Sequence, residues 1–157
     1  MKKILKVLIV IMIILIGTFI ATRIYYNNVG IEPNDLYLNK EYSKEMYKAT
    51  KGSYSWNDKG MSVIADSVSP VQMDFSKSIN VNAGEKLYFS DENWTSSSAY
   101  VIIAQERTEM ARIAIETNLE QNYITVPELS SGEYLIQINL ESNKGDVWYA
   151  TKINIIE

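Results

Sequence analysis

The sequence predicts an all-β domain, an antiparallel sandwich, behind a single N-terminal membrane-spanning helix. Three observations carry that reading. Beyond about residue 42, short runs alternate apolar and polar residues, and turn residues interrupt them every eight to twelve positions. Outside the first 23 residues no stretch keeps apolar residues at i, i+3, i+4 and i+7 over three turns. Val7 to Thr22 is an uncharged, mostly apolar run behind Lys2, Lys3 and Lys6.

Residues 1–23 are read as a membrane anchor. From Ile4 to Thr22, with Lys6 snorkelling its ammonium to the headgroups, a helix rising about 1.5 Å per residue matches a hydrocarbon core of about 30 Å. Three lysines before the run and Arg23 after it predict a cytoplasmic N-terminus with the remainder outside. A cleaved signal peptide would want small residues at both positions of its cleavage site, and Phe19-Ile20-Ala21 is large at the first. Residues 24–42 mix Asn, Gly, Pro and Asp with tyrosines and read as a spacer, ordered where Leu36 and Leu38 find an apolar groove. Tyr25 and Tyr26 fall where an interfacial aromatic belt would lie.

Residues 43–157 form the sandwich domain. In Lys51 to Ser67, Tyr54 and Trp56 alternate with Ser53, Ser55 and Asn57, and Asn57 to Gly60 turns the chain into Met61 to Asp66, so Gly52 and Gly60 are expected to punctuate a hairpin. Ile79 and Val81 precede a turn at Asn82 to Glu85, after which Leu87 and Phe89 share one face and Lys86, Tyr88 and Ser90 the other. Ser98 to Gln105 is apolar on both faces and reads as a central strand. Ile113 and Ile115 point to the core from the next run, followed by Tyr123 to Val126. In the C-terminal hairpin Tyr134, Ile136, Ile138 and Leu140 line one face, Asn143 to Asp146 turn the chain, and Tyr149, Ile153 and Ile155 line the same face of the last run. A tyrosine just after a corner at the start of the penultimate strand sits where immunoglobulin-like sandwiches place their tyrosine corner.

The stretch "GSYSW", the "ADSVSP" after it and the closing "SGEYLIQI…NKGDVWYATKINI" together resemble a group of small exported or membrane-anchored proteins of Gram-positive bacteria that carry a Gly-(Ser/Thr)-Tyr-x-Trp strand and an immunoglobulin-like sandwich. The resemblance covers about Met46 to Ile156 and rests mostly on structural residues. It implies location and fold without a reaction. It also implies that a cross-link found in some members is absent here, since their cysteines fall at Ser55 and about Ile64.

Chemistry is constrained by what is missing. The chain has no histidine and no cysteine, which removes Ser-His-Asp and Cys-His nucleophiles, ordinary zinc sites and haem ligation, and no Gly-rich phosphate loop is present. No cofactor is expected. Setting aside Lys2, Lys3, Lys6 and Arg23 leaves 11 basic residues against 19 acidic ones, a net charge of −8 that argues against nucleic acid or an anionic bilayer surface as ligand.

What remains points to binding. Trp94 lies in a polar loop and Trp148 is out of phase with Tyr149 and Ile153, so either ring could be exposed, with Tyr88 a third candidate. Asp91 and Glu92 are weak calcium candidates among the turn carboxylates, with Asp58 and Asp146, and none falls in a D-x-D-x-D-G spacing. A carboxylate hydrolase would need Asp66 paired with a second acid such as Asp74. The expected function is a non-catalytic, membrane-anchored module outside the cell. It would dock on another envelope protein through an apolar patch around Trp94 or Trp148. The alternative is a wall-glycan binder, which would show exposed aromatics with amide or carboxylate neighbours.

Overall fold

In the computed structural model the described residues are 11–22, 31–58, 60–75, 77–90 and 93–156. The chain divides into two compact units, Met1–Ile31 and Glu32–Glu157. In the first, residues 11–22 are helical and exposed. The hydroxyls of Thr18 and Thr22 donate to the carbonyls of Ile14 (3.0 Å) and Thr18 (2.7 Å), which satisfies both polar groups within the helix. Twelve helical residues rise about 18 Å, and no helix among the described residues is long and apolar enough to cross a membrane. Residues 4–10 of the expected span, its flanks Lys2, Lys3, Lys6 and Arg23, and Tyr25 and Tyr26 lie outside the described residues.

The second unit is built from two sheets. β1 (Tyr37–Lys40), β2 (Tyr47–Lys48), β6 (Lys86–Phe89), β9 (Thr117–Asn118) and β10 (Tyr123–Thr125) form an antiparallel sheet in the order β2-β1-β6-β10-β9. The other sheet runs β4-β3-β12-β11-β7-β8, from β3 (Thr50–Asp58), β4 (Met61–Ala65), β7 (Ser96–Gln105), β8 (Thr108–Ile115), β11 (Gly132–Ser142) and β12 (Gly145–Ile156). β12 shares one edge between two strands. Its first half pairs antiparallel with β3, and its second half, from Lys152 to Ile156, pairs parallel with β5 (Ser78–Asn82).

Period-two patterning makes this a sandwich. Leu38, Leu87, Phe89 and Ile124 from the five-stranded sheet meet Val101, Ile136, Ile138, Leu140, Tyr149 and Ile153 from the seven-stranded one in one core. Each such side chain, withdrawn from water, stabilises the fold by about 1.5–3 kcal/mol. Leu36 and Leu38, within the expected spacer, are fully buried in this core, so β1 belongs to the sandwich. The Tyr134 hydroxyl donates to the Ser130 carbonyl at 3.0 Å.

One local feature departs from the sequence reading, and a second, the central strand at Ser98 to Gln105, agrees with it for a reason found only in the fold. Gly52 lies inside β3 and not at its end, at a β-bulge where two residues oppose Trp148 between the pairs Val147–Tyr54 and Tyr149–Lys51. Ser98 to Gln105 is apolar on both faces for a reason its neighbours in sequence do not reveal. The connection from β4 to β5 crosses the outer face of the sheet, and its 3-10 turn, Pro70–Gln72, buries Pro70 and Val71 beside Ile102, which is fully buried although it points away from the sandwich core.

Candidate functional site

The three ring candidates do not form one site. Trp94 is a correction to the expectation of an exposed ring: it is 9% exposed, packs edge-on against Trp56 with centroids 6.2 Å apart, and its indole N–H donates to the Ser90 carbonyl at 3.4 Å. A polar loop sequence says nothing about which way its largest side chain turns, and the core edge beside Trp56 offers this ring more apolar contact than water does. Tyr88 points outward from the five-stranded sheet between the buried Leu87 and Phe89. It is half-buried against Tyr123, centroids 5.6 Å apart, and the Lys86 ammonium lies 4.2 Å from the Tyr123 ring centre. Trp148 points outward from the other sheet, on the opposite surface of the sandwich.

Trp148 is held flat. Along β12 the residues Val147, Tyr149, Thr151 and Ile153 are buried toward the core, which sends Asp146, Trp148, Ala150 and Lys152 to the outer face. The indole's six-membered ring lies over Gly52, where a Cβ would collide with Cδ2, Cε2 and Cε3 together. One ring face therefore rests on the bulge of β3, and the side chain is left half-buried.

The neighbours of Trp148 are polar. Asn139 faces it across the strand pair and Ser98 faces Asn139, so Trp148, Asn139 and Ser98 form one cross-strand row. The Asn139 amide donates to Ser98 Oγ at 3.0 Å and accepts from the Gln137 amide at 2.7 Å. Gln137 is only 8% exposed and pairs with Tyr100 on the next row. Tyr100 carries the Arg112 guanidinium 5.5 Å from its ring centre, and Arg112 grips Glu109 through two hydrogen bonds of 3.1 and 2.9 Å. The hydrogen bond from Arg112 holds the Glu109 carboxyl below its usual range, and the same bond raises Arg112, with burial opposing both. On the other side of Trp148 the row reads Ser96, Glu141, Asp146, Ser55 and Ile64, by direct register.

The remaining candidates sit elsewhere. Asp66 is exposed, and Asp74, with a side chain 88% exposed, pairs with Arg107 at 2.8 Å. Asp58 pairs with Lys144 at 3.2 Å. Asp91 and Glu92 lie outside the described residues, among which no group of three or more acidic side chains is placed to hold a metal ion. Sequence reasoning missed Tyr100, Ser98, Gln137 and Asn139 as neighbours of Trp148. Period two puts Gln137 and Asn139 on the outer face, but only the pairing of β7 with β11 adds Tyr100 and Ser98. Compared with known protein families, curated proteins and solved structures, the chain matches none.

Proposed function

We propose that this chain is a membrane-anchored binding module without catalytic activity, whose outer seven-stranded face receives a polysaccharide of the cell envelope. One observation carries the reading. The Trp148 indole lies flat on Gly52 in a row with Asn139 and Ser98, beside Gln137 and Tyr100. A sugar ring presents an apolar face ringed by hydroxyls, and it is met by an aromatic plane with amide and hydroxyl groups around it. The polar surroundings favour a glycan over the apolar patch that a protein partner would want. The anchor proposal rests on the stretch from Ile4 to Thr22, uncharged except for Lys6, of which 11–22 are helical. An immunoglobulin-like reading of the sandwich is supported by the order β8-β7-β11-β12, the parallel β5 on β12, and the Tyr134 corner.

Sedimentation of the protein with purified envelope polysaccharide tests the reading. The native chain is expected to pellet with the polymer, and Trp148→Ala to stay in the supernatant with its melting temperature little changed. Equal pelleting of both would remove Trp148 from the site. Extraction of membranes with alkaline carbonate checks the anchor, which predicts retention in the pellet. Docking on an envelope protein is the second reading. It is favoured by β4, an uncharged edge strand whose Ile64 is 75% exposed.

A further inference from the structure

Glu141 and Asp146 are direct cross-strand partners on the outer face, both exposed, two residues from Asn139 and Trp148 respectively. Like charges directly opposite each other on a sheet destabilise it. Among the described residues no cation relieves this pair, since Lys144, in the turn beside it, is engaged by Asp58 at 3.2 Å. Side chains two apart on one strand lie about 7 Å from each other, which puts Asp146 within reach of a group seated on the indole, with Glu141 diagonally opposite on β11. An ammonium on a tryptophan face is held by the ring's quadrupole as well. A neutral sugar needs none of this.

We infer that the polysaccharide bound at Trp148 carries free amino groups, so that its ammonium lies between the indole and the Glu141–Asp146 pair. This rests on the glycan reading of the same face and adds the ligand's charge. The repulsion between these carboxylates, which no cation among the described residues relieves, then has a counterpart in the complex. The domain's net charge of −8 attracts such a polymer from a distance, within the screening length set by salt.

The test titrates the full chain in neutral detergent, by calorimetry in mildly acidic buffer, with the β-linked hexamer of glucosamine, the hexamer of N-acetylglucosamine and a hexalysine peptide. The glucosamine hexamer is expected to bind about tenfold tighter than its acetylated form, and Glu141→Gln with Asp146→Asn to bring the two level, each charge being worth up to about fivefold. Added salt is expected to weaken only the amine-bearing ligand. The double variant is also expected to melt higher than the native chain, which separates lost recognition from lost folding. If both hexamers bind alike and only Trp148→Ala matters, the amine inference fails while the glycan site stands. If neither hexamer binds, or Trp148→Ala changes nothing, the site reading itself fails. Hexalysine binding that depends on Trp148, with no saccharide bound, overturns the glycan class.

Discussion

Gly52 and Trp148 act as one unit. Replacing Gly52 by alanine puts a methyl group where the indole lies, and a face contact has no flexible end that can move aside. Overpacking of this kind costs about 1–3 kcal/mol. The expected result is a lowered melting temperature together with a shifted indole N–H resonance for Trp148, and Gly52→Ala is expected to cost no stability when made in a Trp148→Ala background. Trp94→Ala separates the two exterior candidates of the sequence more sharply. As a buried ring packed on Trp56 it should lose about 3–5 kcal/mol on denaturant unfolding, whereas Trp148→Ala should lose far less. At this scale the sequence was partly legible. The phase of Trp148 against Tyr149 and Ile153 told which way it points, because a strand's alternation is rigid. Trp94 sits just before β7, where no alternation exists to read, and its burial comes from Trp56, 38 positions earlier in the chain.

At the scale of elements, hairpins were legible and long-range pairings were not. The β3–β4 and β11–β12 hairpins follow from turn residues between alternating runs. The parallel pairing of β5 with β12, and the crossing of the outer face by Pro70 and Val71, depend on contacts between distant segments, to which local patterning is blind. Register permits a direct test of the first hairpin. Ser55 and Ile64 are exact cross-strand partners, with Cβ atoms about 4.5–5.5 Å apart, so Ser55→Cys with Ile64→Cys is expected to oxidise and to raise stability by about 2–3 kcal/mol. Mass spectrometry before and after reduction, beside a melting curve, checks it. At the β7–β8 end, Glu109 is held below its usual carboxylate range by Arg112. The pair's contribution, about 0.5 kcal/mol for a half-exposed ion pair, is therefore present above the unfolded-state pKa and disappears as pH falls through the lower folded one. Glu109→Gln should melt below the native chain at neutral pH and converge with it in acid.

For the whole molecule, the class of fold was legible because it depends on periodicity, short alternating runs separated by turn residues. The proposed binding face was not, because it is assembled across four strands from residues 52, 98, 100, 137, 139 and 148. The outer surface of this sheet is also asymmetric. One end of the seven-stranded sheet's outer surface is covered by the connection from β4 to β5, and the end bearing Trp148 is left open.

The shared edge of β12 has a consequence for the order in which the chain can assemble. Among the described strands β12 comes last in sequence, and it pairs with β11, with β3 and with β5. Until it pairs, β3 with its hairpin partner β4 has no place beside β11, and β5 has no edge to join. Pairings this distant in sequence form slowly. The sandwich therefore remains open along its centre until β12 is in place, and closing that gap commits the earlier segments all at once.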